Sequence, residues 1–145
     1  LPEKLFPKIN PSIQTISSSR ETLVIKRENY NNIIALASET KSTTFHVILA
    51  ILFAYLNRRY KKEKISIGIP VLNRSGKKSK NTVGLFMSVS PLLLEINENE
   101  TFINLLENIK KRLRQDYRHQ RFPLREMIKE LQLFQKQEEL FNIII

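Results

Sequence analysis

Residues 65–94 read ISIGIPVLNRSGKKSKNTVGLFMSVSPLLL. Ile65, Ile67, Ile69 and Val71 alternate with Ser66, Gly68 and Pro70. A period of two belongs to a pleated strand with one packed face. A basic loop follows. Beyond it, Gly84, Ser88 and Ser90 stand at even positions among apolar neighbours, which reads as a second strand. Small residues on the second face leave room for something to come close. The stretch therefore predicts two strands with core-type apolar content and one face kept small.

Upstream, Glu21–Arg27 (ETLVIKR) reads as a short strand, and residues 28–39 read as a helix. Tyr30, Ile33, Ile34, Leu36 and Ala37 give that helix an apolar stripe. Thr43 or Thr44 can cap the next helix, its hydroxyl accepting an orphan backbone N–H. From Phe45 to Leu56 this helix is apolar nearly all round, so it is expected to be buried on most of its surface. It ends in Arg58, Arg59, Lys61 and Lys62, cations that suit a helix C-terminus. His46 falls in its first turn and reads as a core or cap histidine.

Downstream, residues 95–100 form an acidic turn and Thr101 caps a long amphipathic helix to about Tyr117. Phe102, Leu105, Leu106, Ile109 and Leu113 are its buried stripe, and Lys110, Lys111, Arg112 and Arg114 its solvent face. The segment 118–124 (RHQRFPL) breaks the pattern. Pro123 disfavours helix at Phe122 and suits the first position of a new helix to about Leu131. Residues 132–138 read as a polar connector and 140–145 (LFNIII) as a buried strand.

The whole chain has 145 residues, enough for one core. Its hydrophobic fraction of 41% and charged fraction of 26% are those of a globular protein. It holds no cysteine, which excludes disulfides and thiolate metal sites. The longest apolar run, Val47–Leu56, is too short to span a bilayer, and no secretory leader is visible at the N-terminus. A cytoplasmic protein is expected. Residues 1–20, with Pro2, Pro7 and Pro11, read as an extended lead-in. The chain starts without methionine and stops within an apolar strand, so it is expected to be a piece of a longer polypeptide. No Asp, Glu and His set has metal-ligand spacing, and three glycines make no phosphate loop. The net charge of +10 suits an acidic partner, but equally a solvated basic surface. A nucleic-acid-binding module is disfavoured, because the basic runs lack interleaved aromatics for base stacking.

This order of elements resembles the C-terminal part of a condensation domain of nonribosomal peptide synthetases. Ile67-Gly68 with Pro70-Val71 and Asn73-Arg74 is similar to the family's strand ending in an Asn-Arg or Gly-Arg pair. Gly84-Leu85-Phe86-Met87-Ser88-Val89 with Pro91-Leu92 resembles its Gly-x-Phe-Val-Asn-Thr motif and the Pro-Leu after it. His119-Gln120-Arg121-Phe122-Pro123-Leu124 resembles its His-Gln-Asp-x-Pro-Phe motif. Ser88 and Val89 depart from the usual Asn-Thr, Leu93 and Leu94 stand where an arginine is common, and Arg121 replaces an acid.

The resemblance implies an α/β fold of the chloramphenicol acetyltransferase type. Residues 1–145 would be a partial domain, the C-terminal lobe, with a mixed sheet flanked by helices. The implied activity is amide-bond formation between carrier-bound acyl or aminoacyl thioesters. Phosphopantetheine would be borne by partner carrier domains, with no cofactor on this chain. The implied partners are those carriers, the N-terminal lobe and a neighbouring adenylation domain, with no membrane. Gly84, Ser88 and Ser90 would keep a substrate tunnel open. Arg74 would fix the loop by hydrogen bonds to carbonyls or a carboxylate. His119, Gln120 and Pro123 would end the long helix and hold its turn. By the resemblance, the family's reaction depends on two adjacent histidines, then three intervening residues, then Asp-Gly; neither His46 nor His119 has a histidine neighbour, and Asp-Gly is absent. No catalytic residue is assigned here. A related carrier-dependent acyltransferase making an ester or amide is the alternative.

Overall fold

The computed structural model describes residues 18–74, 81–97, 99–136 and 139–145. The expectations for residues 1–17 and the basic cluster Lys77–Lys80 lie outside these residues. Among the described residues, five helices and two strands follow one another: α1 (Arg27–Glu39), α2 (Thr44–Tyr60), β1 (Lys64–Val71), β2 (Ser88–Glu95), α3 (Phe102–Arg118), α4 (Leu124–Glu130) and α5 (Leu133–Lys136).

The helix ends follow local chemistry. Thr43 accepts the His46 N–H through its hydroxyl, and His46 Nδ1 accepts the Thr43 N–H at 3.1 Å, a reciprocal cap at the start of α2. His46 is thus the capping histidine its position suggests. Lys61 closes α2 in the left-handed conformation, and the Asn57 side-chain amide donates to the Lys62 carbonyl. Thr101 caps α3 by accepting the Asn104 N–H.

β1 and β2 pair antiparallel, with Ile65 opposite Leu94, Ile67 opposite Leu92 and Ile69 opposite Ser90. One face of this ribbon packs on the helices. Ile65, Ile67, Ile69, Leu92 and Leu94 join Val47, Leu49 and Phe53 of α2 and Leu105, Leu106, Ile109 and Leu113 of α3 in one buried cluster. Each such side chain contributes about 1.5–3 kcal/mol on burial. The apolar stripe of α3 is the one its periodicity predicts.

The last residues add a third strand position. The Gly68 N–H donates to the Ile143 carbonyl at 2.8 Å, and the Ile145 N–H donates to the Gly68 carbonyl at 3.1 Å. This bridge is parallel and isolated, so the sheet itself is a two-stranded antiparallel ribbon, where a mixed sheet was expected. Residues 140–145 are half-buried or exposed, where a buried strand was expected.

Two further expectations are corrected and a third holds over most of its range. Residues 21–26 form no strand, with Leu23 and Val24 exposed at 89% and 80%. Both edges of β1 are occupied, by β2 and by the Ile144 bridge, and β-propensity without a neighbour to pair with makes no sheet. α2 is buried or half-buried over most of 45–56, as expected, and only Ile48, Ile51 and Tyr55 of that stretch are exposed, where α1, α3 and β1 do not cover it. The connector after α4 contains the short helix α5, whose Leu133 is fully buried.

Candidate functional site

The antiparallel register decides what each sheet face carries. It pairs odd-numbered residues of β1 with even-numbered residues of β2. Residues directly opposite share a face. Ser88 and Ser90 therefore stand on the helix-packed face with Val71 and Ile69, while Ser66, Gly68 and Pro70 share the outer face with Leu93, Pro91 and Val89. The two small-residue sets read from the sequence lie on opposite faces.

A cavity of about 540 Å³ is lined by Ser66, Val89, Pro91 and Leu93 of this outer face, and Ser90 also contributes to its lining. The C-terminal half of α3 contributes Arg112 and Asp116, and the corner after it His119, Gln120 and Phe122. Leu124, Met127 and Leu131 in and just after α4, together with Leu140, complete the apolar wall. The corner exists because α3 stops at His119. The His119 N–H donates to the Asp116 carbonyl, and the Phe122 N–H to the His119 carbonyl. Backbone bonds thus hold the turn for which side-chain bonds of His119 and Gln120 were expected. Pro123 is the N-cap of α4, one residue before the first helical position assigned to it.

Asp116 is the polar centre of the cavity wall. Arg112, one turn earlier, places Nε 3.2 Å from its Oδ1. Its Oδ2 is buried and has no hydrogen-bond partner. Burial raises the Asp116 pKa, and the charge and hydrogen bond of Arg112 and the charge of His119 oppose the rise. The Asp116 side chain is 17% exposed, so desolvation prevailing over the pair is physically reasonable.

Gly84 and Ser88 do not line this cavity. Ser88 opens β2 opposite Val71. Gly84 is exposed in the lead-in to β2, at φ +151°. A side chain there would meet only Phe86, at 3.5 Å, so its need for glycine is conformational. Arg74 donates from its two terminal nitrogens to the Thr82 carbonyl (2.7 Å) and the Gly84 carbonyl (2.6 Å), and stacks 4.3 Å from the Phe86 ring centre.

The space above β1 is used partly by the chain itself. A Cβ on Gly68 would lie 2.7 Å from the Phe141 ring and 2.8 Å from Val89 Cγ1. The glycine is there so that Phe141 can cross the outer face. Sequence reading missed Asp116 and the apolar residues facing it. One signal was present: Asp116 is the chain's lone aspartate, four residues after Arg112 and three before His119 in a basic helix.

The cavity can hold a slender, mainly apolar group beside a few polar ones. Among the described residues no cluster of His, Asp and Glu could hold a metal ion, and no helix is long and apolar enough to cross a membrane.

Comparison with known proteins agrees with this architecture. The family model described as Condensation domain matches residues 1–145. The chain is 27% identical over 121 residues to tyrocidine synthase 3 of Brevibacillus parabrevis, covering 83% of this chain and 2% of that protein. It is 25% identical over 121 residues to gramicidin S synthase 2 of Brevibacillus brevis, covering 83% of this chain and 3% of that one. Its fold superposes on the first condensation domain of the CDA synthetase with a TM-score of 0.67 at 21% identity, covering 77% of this chain and 24% of that structure. The chain thus spans a small part of these synthases and about a quarter of the solved domain. With the family match extending over its whole length, the chain belongs to the condensation-domain family.

Proposed function

We propose that this chain forms one wall of the passage in which a condensation domain brings two carrier-bound substrates together. The whole protein would join an acyl or aminoacyl thioester to an amine, with release of the carrier thiol. The observation that carries this reading is the 540 Å³ cavity on the outer sheet face, closed by the corner that contains His119 and Gln120. Its apolar walls suit a pantetheine-tethered chain, and Ser90 and Ser66 border it without filling it. Arg74 and Gly84 shape the entry to β2 and act on the passage only through that strand. Carrier domains bearing phosphopantetheine, the N-terminal lobe and an adenylation domain are the proposed partners, in the cytoplasm.

The reacting histidines of the family lie outside this sequence, so the 145-residue chain by itself should make no product. The test uses the full-length protein and loaded carrier domains, with condensed product measured by mass spectrometry. Met127→Trp, which fills the cavity from α4, should cut turnover at least ~10-fold while the circular dichroism spectrum is kept. Wild-type turnover in a folded Met127→Trp protein would remove the cavity from the reaction path. Product formed by the 145-residue chain alone would overturn the division of labour between lobes.

A further inference from the structure

The wall of the outer-face cavity holds one unanswered polar atom. Asp116 lines the cavity, and its Oδ2 is buried without a hydrogen-bond partner among the described residues. The other oxygen, Oδ1, is held by Arg112 Nε at 3.2 Å. Asp116 takes no part in the buried apolar cluster, so packing gives no reason for it. An acceptor kept from water without a donor weakens a fold. In a cavity wall, such a group is a place where a ligand can supply what the chain does not.

The charges nearby decide the kind of donor. Arg112 already balances the carboxylate, and His119 lines the same cavity. An ammonium would bring a further cation to an anion that is already paired. A neutral N–H satisfies the orphan oxygen without adding charge. Ser66, 6% exposed, brings a hydroxyl to the cavity from β1, and a hydroxyl can donate to a carbonyl. Leu93, Leu124 and Met127 make the surroundings apolar. A secondary amide within a slender chain has the matching parts: an N–H, a carbonyl and apolar flanks.

We propose that Asp116 is a specificity-determining residue, whose unpartnered carboxylate oxygen accepts the N–H of a secondary amide carried in a slender apolar ligand. The end torsion of an aspartate is soft, so a small turn presents Oδ2 to the cavity while the five-donor guanidinium of Arg112 keeps its hold. A site made to accept an N–H rejects the analogue that lacks it, because the acceptor is then left unpaired. The selection rests on the reading of this cavity as part of the substrate passage. The amide can lie in the pantetheine arm or in the acyl group on it.

The test is calorimetric binding to the full-length protein. S-hexylpantetheine carries its amides in the arm, and N-octanoylalanine methyl ester carries one in the acyl group. Each has a partner probe in which ester oxygens replace the amide N–H groups. At least one amide probe should bind ~10-fold or more tightly than its ester partner. Asp116→Leu should abolish that preference while ester binding stays the same, and Asp116→Asn, which keeps an acceptor oxygen, should retain part of it. The pair that shows the preference identifies the source of the amide, and either pair supports the assignment. No preference in wild type for either pair would overturn it, and a folding defect in a variant cannot mask that result. A preference undiminished in Asp116→Leu would overturn it too, as would octylammonium binding more tightly than both amide probes. The readout is independent of turnover. If Met127→Trp leaves turnover intact while the preference follows Asp116, the amide site stands and the passage reading fails. If Met127→Trp cuts turnover and neither pair shows a preference, the passage reading stands and Asp116 is not its selector.

Discussion

The two faces of one small sheet follow different rules. The inner face carries Ile65, Ile67 and Ile69 of β1, all buried against α2 and α3. The outer face carries Ser66, Gly68 and Pro70, and what lies over it is Phe141, the α3–α4 corner and a cavity. The inner face is a packing solution, where volume lost is stability lost. The outer face is kept low so that Phe141, distant in sequence, can lie on it. A fold can thus concentrate its stability on one side of two strands and leave a cavity on the other.

The largest effect that would sharpen this contrast is on the inner face. Ile67→Ala should destabilise the fold by about 2–5 kcal/mol, read as a lower urea midpoint. A loss well below that would mean the inner face is not the main store of stability. On the outer face, Gly68→Ala forces its Cβ into Phe141 and Val89, at an expected cost of about 1–3 kcal/mol. The two positions should be coupled: in a Phe141→Ala background the cost should shrink, and an undiminished cost would assign the clash to Val89 alone. Thr43→Ala, remote from both faces, should cost only about 1 kcal/mol through loss of the α2 cap, measured by thermal unfolding.

The smallest effects depend on pH. The folded protein raises the Asp116 pKa above 3.8, chiefly by burial. The native state then holds this proton more tightly than the unfolded chain, so stability falls as pH rises from that value through the folded pKa. Asp116→Asn should flatten this acid-side slope in urea titrations. A slope identical to wild type would mean that Arg112 cancels the burial. His46 has the opposite sense. Burial, then the charge of Lys110, lower its pKa from 6.5 against the pull of Glu107. The unfolded chain therefore takes up the proton first, and stability declines as pH falls below about 6.5. His46→Gln should remove that decline.

What could be read in the sequence divides along the same line. The inner face, the α3 stripe and the caps at Thr43 and Thr101 are local patterns, each fixed by residues a few positions apart. The outer face depends on register and on residues far along the chain. Only the pairing of Ile69 with Ser90 separates the serines of β2 from the face of the small residues of β1. The reason for Gly68 is Phe141, seventy-three positions later by their numbers, and no periodicity encodes it. Leu23 and Val24 mislead for the converse reason, since strand-forming residues need a neighbouring edge to become a strand. The family motifs fall at the His119 corner and at Asn73-Arg74, but the carboxylate at the cavity wall belongs to none of them.

Arg74 has one more consequence. Its guanidinium grips the carbonyls of Thr82 and Gly84 from the far side of the loop and lies flat on Phe86. The two ends of the connection are therefore stapled together after β1 ends and before β2 begins. Loop closure adds little free energy per added residue once the ends are fixed. Arg74 is thus the residue that ties the approach to β2 back to the end of β1.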